Sequence, residues 1–338
     1  GREGDLLLKM RAENSGIAPP RKGIAFPGKT TPLDALTAKD KKDLAVGLEL
    51  GVDVVAMSYV QKPQDLQQLK TEMRKYDKVL PIIAKLERQS AIQNLQRIIE
   101  ESDGIMVARG DLGLECELAA LPSMQKRIIR ACNDAGKPVI VATQMLLSMV
   151  YSPIPTRAET TDVANAILDG ADCIMLSEET AIGKYPGGTV RFMRRIARMA
   201  EDFYFEGAGA SPVAPDDQEH PAKFLAYAAC LLAEKTHAKA LVSHSTSGNT
   251  ARILSACRPR QQVYALSPDP RVRHFTNLSW GVIPCIPDEN EANHQERAEK
   301  YVSEDPVFAE GDIVVVTAGQ PKGNQMSTQT NVVKVYEK

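Results

Sequence analysis

The strongest constraint on this chain is a short run, apolar on both faces, that recurs between amphipathic stretches. VDVVAMS (52–58), LPIIAK (80–85), GIMVAR (104–109), PVIVAT (138–143) and DCIMLS (172–177) each read as a strand without a polar face. Such a strand is stable only where helices cover both sides of a parallel sheet. The intervening segments have helical character. They are TAKDKKDLAVGLELG (37–51), PQDLQQLKTEMRKY (63–76), SAIQNLQRIIEES (90–102), PSMQKRIIRACNDAG (122–136), TRAETTDVANAILDG (156–170) and a long helix over 186–205. Thr37 is the expected N-cap of the first and Gly51 its expected stop. Successive βα units of this kind predict an α/β fold, either a doubly wound sheet or part of a (β/α)8 TIM-type barrel.

A Gly-, Pro- and Ala-rich stretch with acidic ends, EGAGASPVAPDDQE (206–219), reads as a linker. A second α/β block follows it. A helix over 221–236 precedes KALVSH (239–244), and TSGNTARILSAC (246–257) precedes QVYALS (262–267). VRHFTNL (272–278), GVIPCI (281–286), a helix near 290–303, and strands DIVVVTAG (312–319) and NVVKVYE (331–337) complete it. The opening GREGDLLLKMRAENSG has no initiator methionine and reads like the last strand of something already under way, so an N-terminal region is expected to precede it.

The 338 residues suffice for two domains, and a formal net charge of −2 excludes a nucleic-acid surface built on bulk charge. No apolar run reaches membrane-spanning length and no signal peptide is visible. The six cysteines are scattered without a CxxC, which suits reduced thiols in a cytoplasmic protein. All five histidines lie beyond residue 219. Chemistry in the first 200 residues therefore runs without imidazole, which excludes most zinc sites and histidine-assisted nucleophiles there.

In a parallel barrel the residues just past the strand ends face the active site. Here these are Ser58, Lys85, Glu87, Arg109 to Asp111, Thr143, and Ser177 to Thr180. Lys85 and Glu87, two apart, share a strand face. With Asp111 they suit a divalent cation holding a phosphorylated acid: Glu87 and Asp111 would share Mg²⁺, and Lys85 would neutralise a phosphoryl group in flight. Gly110 would let backbone amides approach a substrate carboxylate or phosphate. Structural alternatives stand beside these readings. Lys85 and Glu87 could be an ion pair at the rim, Asp111 a helix N-cap in the GDLG turn, and Thr143 a buried hydroxyl bonding a neighbouring carbonyl. In HSTSGNTAR (244–252), residues Ser245, Thr246, Ser247, Gly248, Asn249 and Thr250 open a helix after a strand. That is a phosphate cradle or an ordinary capped helix, and without a following GK[ST] it is not a P-loop.

The chain resembles the pyruvate kinase family. The resemblance rests on RKGIAFPG (21–28), LTAKDKKDL (36–44), IIAKLE (82–87), SDGIMVARGDLGLE (102–115), GKPVIVATQML (136–146), PIPTRAETTDVANAILDGADCIMLSEETAIGKYP (153–186) and TSGNTAR (246–252), with RP (258–259), WGV (280–282) and TN (330–331) in the tail, in the family's order. It implies phosphoryl transfer from phosphoenolpyruvate to ADP, giving pyruvate and ATP, with Mg²⁺ or Mn²⁺ and usually K⁺. By position, Lys85 would stabilise the phosphoryl group and the enolate, and Glu87 and Asp111 would ligate the metal. The amides of Gly110 and Asp111 would hold the substrate carboxylate. Thr143 would act where the enolate is protonated, with Ser58 beside the substrate, and Lys22 would lie near the nucleotide phosphates. The Ser245–Thr250 loop would hold a phosphorylated effector.

The resemblance also implies a division into the residual end of an inserted β-domain (1–20), the last five or so strands of the barrel (21–205), a linker (206–219) and a C-terminal α/β sandwich regulatory domain (220–338), in a cytoplasmic homotetramer with no nucleic-acid or membrane partner. The K⁺ ligands and a phosphate-gripping arginine of the family have no counterpart in this chain. Leu147, Glu178 and Ala25 depart from the family's usual Glu, Gly and Asn. Two other functions remain open on these residues: a metal-dependent pyruvate or enolate lyase on the same barrel, and a non-catalytic sugar-phosphate-binding paralogue.

Overall fold

The computed structural model describes residues 2, 3, 7, 8, 11, 13–16, 35–207, 211–215, 220–288, 290, 293–319 and 331–338. A short antiparallel pair, β1 (Arg2–Glu3) and β2 (Leu7–Leu8), comes first. The elements that follow are α1 (Ala38–Leu50), β3 (Val55–Met57), α2 (Pro63–Arg74), β4 (Ile82–Leu86), α3 (Gln89–Gln93), α4 (Leu95–Glu101), β5 (Gly104–Ala108), α5 (Arg109–Glu115), α6 (Leu121–Asp134), β6 (Val139–Ala142), α7 (Arg157–Leu168), β7 (Cys173–Met175), α8 (Glu178–Ala181) and α9 (Pro186–Glu206). Strands β3 to β7 form one parallel sheet in chain order. A doubly wound sheet reverses its strand order at a switch point. This one does not, so the expected barrel topology is what forms, as an arc of five strands.

The strands were legible because both their faces are apolar. Ile82, Ala84 and Leu86 of β4 pack outward with Leu66, Met73, Ile98, Ile105 and Ile128 under the helices. Ile83 faces inward with Met106, Ile140 and Ala142. Alternation then carries Lys85 onto the inward face at the carboxyl end of the strand. Helix α1 starts as expected, with a reciprocal Thr37–Asp40 capping box, and stops at Gly51 in the left-handed region at φ 79°.

Two local expectations are corrected. The segment 90–102 is two helices divided at Asn94, whose side-chain amide donates to Gln61 O and Ser90 O, both at 3.0 Å. Strand β5 ends at Ala108, and α5 begins at Arg109. Asp111 therefore sits inside the first turn of α5 and is not its N-cap. VRHFTNL, to which the sequence assigned no state, is helical over 272–276.

The second unit comprises α10 (Pro221–Lys235), β8 (Ala240–His244), α11 (Asn249–Ala256), β9 (Gln262–Leu266), α12 (Pro270–Thr276), β10 (Val282–Cys285), α13 (His294–Glu304), β11 (Ile313–Ala318) and β12 (Val332–Glu337). Its sheet runs β10-β9-β8-β11-β12, with only β12 antiparallel. Helices α10 and α11 cover one face and α13 the other, giving the expected α/β sandwich. The strand order reverses between β8 and β11. The carboxyl ends of those strands are where such a sheet offers a crevice.

The two units meet at the amino ends of the barrel strands. Asp172, just before β7, accepts from Val139 N (2.9 Å) and Trp280 N (3.1 Å). Its Oδ1 also lies 3.1 Å from Arg258 Nη1, off the hydrogen-bond axis, so that contact is chiefly electrostatic. Arg258 in turn donates to Asn133 Oδ1 (3.0 Å) and to Gly170 O, and its guanidinium lies 5.3 Å from the Trp280 ring centroid. Asp53, before β3, bonds His274 at 2.7 Å, and Phe275 and Leu278 pack against the inner face of the barrel sheet. Docking at the amino ends leaves the carboxyl ends of β3 to β7 free.

Two outcomes follow from this packing. Arg258 and Asp172 are 7% and 5% exposed, so Asp172→Asn strands a buried guanidinium. Removing one partner of a buried pair costs about 3 kcal/mol, so the variant should show a lowered thermal midpoint and a split into two transitions. A single unshifted transition would count against the joint. His244, fully buried and stacked on His294 with ring centroids 4.2 Å apart, is the second case. Burial, reinforced by His294 and Arg297, pushes it from its ordinary 6.5 down to about 3. The folded chain thus refuses a proton that the unfolded chain takes up below pH 6.5. Stability is full above that pH and falls by about 1.4 kcal/mol per pH unit as the pH drops towards 3. Denaturation followed by Trp280 fluorescence should show this slope, and His244→Leu should flatten it.

Candidate active site

At the carboxyl end of β4 the ammonium of Lys85 lies 2.7 Å from Glu87 Oε1 and donates to Ser58 Oγ at 2.8 Å. Glu87 is 2% exposed, and its second oxygen accepts from Tyr59 N at 2.6 Å. A carboxylate this deep is tolerated because both oxygens are engaged, one of them by a cation. The expectation that Lys85 and Glu87 share a face is met, and β3 contributes Ser58 and Tyr59 to the same cluster. Asp111 reaches it from α5. The Asp111 carboxylate, then burial and the Glu87 carboxylate, push the Tyr59 phenol above its ordinary value of 10. Both acids therefore bear on one phenol, which also stacks under Arg88 at 5.3 Å.

Thr143 ends β6 in an unusual conformation. Its φ is 71°, and that of Gln144 is 54°. The left-handed region is unfavourable for a β-branched residue, at a cost of about 1–3 kcal/mol, and persists only where the surroundings enforce it. The Thr143 hydroxyl accepts from Gly110 N at 2.8 Å and donates to Ala142 O at 2.6 Å. The Gly110 amide, expected at a ligand carboxylate, thus faces the threonine hydroxyl here, and the carbonyl-bonding alternative for Thr143 is also realised. Residues 177–180 contribute differently from their simple placement at a strand end. Glu179, 1% exposed, accepts from Leu146 N (3.1 Å) and Ser177 N (2.8 Å), tying the loop after β6 to the loop after β7.

Among the described residues no group of three or more His, Cys, Asp and Glu is gathered for a metal. The donor set that does converge is two carboxylates. Asp111 takes no hydrogen bond from the described residues, and Glu87 shares one oxygen with a lysine. Two hard oxygen donors beside an open strand end fit Mg²⁺ or Mn²⁺ completed by ligand and water oxygens, and they do not fit a closed structural site.

In the second unit Gly248 precedes α11 at φ 70°. A Cβ there would come within 2.6 Å of Thr276 Cγ2, so the loop requires glycine on two grounds. Asn249 N donates to Ser247 Oγ at 3.4 Å, and Arg252 Nη1 to Ser247 O at 3.2 Å. Beneath this loop, at the carboxyl ends of β8, β9 and β11, the buried side chains of Ser243, His244, Ser267 and Thr317 have no hydrogen-bond partner among the described residues.

Ser58, Lys85, Glu87, Gly110, Asp111 and Thr143 thus gather at one mouth. The loop Ser245 to Thr250 forms a separate place in the other unit. Lys22, with Ala25, lies outside the described residues. Leu147 is half-buried in a short turn after β6, and Glu178 is exposed at the start of α8. Sequence reasoning missed Tyr59 and the tie made by Glu179. Tyr59 carried no signal beyond following an apolar run.

A profile described as "Pyruvate kinase, barrel domain" matches residues 2–190, and one described as "Pyruvate kinase, alpha/beta domain" matches residues 223–336. Over 330 residues the chain is 41% identical to "Pyruvate kinase 2" of Synechocystis sp., covering 97% of this chain and 55% of that protein. It is 40% identical to "Pyruvate kinase" of Mycobacterium intracellulare, over 99% of this chain and 70% of that protein. With "Pyruvate kinase" of Agrobacterium vitis the identity is 42%, over 96% and 67% respectively. The chain spans 55% of the length of the first of these relatives and about two thirds of the other two. An arc of parallel strands with two acids and a lysine at its carboxyl mouth, a second α/β unit docked beneath, and these matches lead to one conclusion: the chain belongs to the pyruvate kinase family.

Proposed function

We propose that this chain carries out phosphoryl transfer from phosphoenolpyruvate to ADP, giving pyruvate and ATP. The observation that supports it best is the Lys85 ammonium, held between Glu87 and Ser58 at the open strand ends, beside Tyr59, on which the Asp111 charge also acts. Lys85 is only 25% exposed, so its charge is weakly screened and can balance a phosphoryl group leaving one oxygen for another. When bound, a divalent cation at Glu87 and Asp111 supplies charge neutralisation for phosphoryl and enolate oxygens. Asp111, and Gly110 once its amide leaves the Thr143 hydroxyl, would present first-turn amides to the substrate carboxylate. Thr143, whose hydroxyl both donates and accepts, would hold the proton that the enolate carbon takes up.

Lys22 serves the nucleotide phosphates, and the reaction takes K⁺ beside the divalent cation. The Ser245–Thr250 loop, above four unpartnered buried polar side chains at a sheet switch point, takes a phosphorylated small-molecule effector. The working protein is a cytoplasmic homotetramer.

Pyruvate formation, coupled to a dehydrogenase in the presence of Mg²⁺ and K⁺, tests the reading, and no turnover with both substrates present would sink it. Removing one preorganised charge at a transfer site costs about 10²–10³ in kcat, and Lys85→Met should do so. Because that change frees a Glu87 oxygen, Mn²⁺ binding followed by paramagnetic resonance should hold or tighten in Lys85→Met. Glu87→Gln and Asp111→Asn should instead weaken Mn²⁺ binding about tenfold or more, since each removes a hard anionic donor. Unchanged Mn²⁺ affinity in both carboxylate variants would remove the metal from this place.

A further inference from the structure

We propose that Arg109 is a positioning residue for the transfer site: its guanidinium, oriented by Asp162, holds the left-handed Thr143–Gln144 turn by its carbonyls and so aims the Thr143 hydroxyl at the Gly110 amide of α5. The inference rests on the reaction proposed above for its functional part, and on geometry alone for its structural part.

Arg109 is the residue before the Gly110–Asp111 pair, yet its side chain turns away from the mouth and is 9% exposed. Nη1 donates to Asp162 Oδ1 on α7 at 2.7 Å. Nη2 donates to Thr143 O at 2.8 Å and reaches Gln144 O at 3.4 Å. Two successive left-handed residues present successive carbonyls to one side, and a planar fork of donors can hold both while a second edge stays on a carboxylate. A lysine has the charge but not the fork. The loop is gripped from the other side by an anion, since Glu179 accepts from Leu146 N. The strained turn is thus held between a cation after β5 and an anion after β7. Loss of the cation lets Thr143 relax to negative φ, swinging its hydroxyl off Gly110 N, which it now meets at 2.8 Å.

That bond provides a readout independent of turnover. An amide in the first turn of a helix has no acceptor within the helix, so protection of the Gly110 amide reports the Thr143 hydroxyl. In the full chain, Arg109→Met should speed exchange of the Gly110 amide by about tenfold while the β5 amides keep their protection. It should lower kcat about tenfold or more with little change in KM for phosphoenolpyruvate, because misplacement of a reacting group falls on the chemical step. Arg109→Lys should restore neither. Should Arg109→Met fail to fold, Asp162→Asn at a part-exposed position carries the same expectations with smaller size. Gly110 exchange at the wild-type rate would overturn the clamp. Faster exchange with unaltered kcat would overturn the positioning role. A wild-type chain that makes no pyruvate defeats the proposed reaction instead, and Gly110 exchange still decides whether Arg109 holds the turn.

Discussion

Burial of both faces of the parallel strands is the constraint on which this architecture depends. When helices cover one face and the strand interior the other, no polar side chain can sit along the strand without losing its hydration. Polar chemistry is driven to the strand ends. At the amino ends Asp53 and Asp172 meet the C-terminal unit, while Asp103 accepts from Ile82 N of the neighbouring strand. At the carboxyl ends Lys85, Glu87, Asp111 and Thr143 gather at the mouth. One rule of solvation thus separates the docking side of the unit from its reactive side.

The site has its own internal order. Glu87 is buried because Lys85 neutralises it and Tyr59 N–H bonds it. Thr143 adopts a costly backbone because Arg109 and Glu179 grip its loop from opposite sides. The charge is thus balanced within the mouth itself, whereas the strain is held by groups, Arg109 and Glu179, behind it. This is the pattern expected where a geometry has been fixed before the ligand arrives.

Much of the barrel unit was legible in the sequence, for a simple reason. A strand apolar on both faces announces itself within six or seven residues, and alternation places Lys85 and Glu87 together without any tertiary knowledge. Thr37 and Gly51 were legible because capping is local chemistry. The start of α5 was not, since Ala108 and Arg109 carry no capping signal and the strand leads straight into the turn. Nor was the helical state of 272–276, where Phe275 is placed by contacts with the barrel interior rather than by a local period.

By itself the sequence determined which residue types stood at which strand ends, because side-chain period and apolar runs are properties of a few neighbouring residues. Only the tertiary structure decided the partners. Arg109 meets Thr143 and Asp162 across 34 and 53 positions of chain, and the amino-end joint links Asp172 to Trp280 across 108. The left-handed turn at Thr143 belongs to the same category: a β-branched residue does not adopt that backbone unless distant groups hold it there.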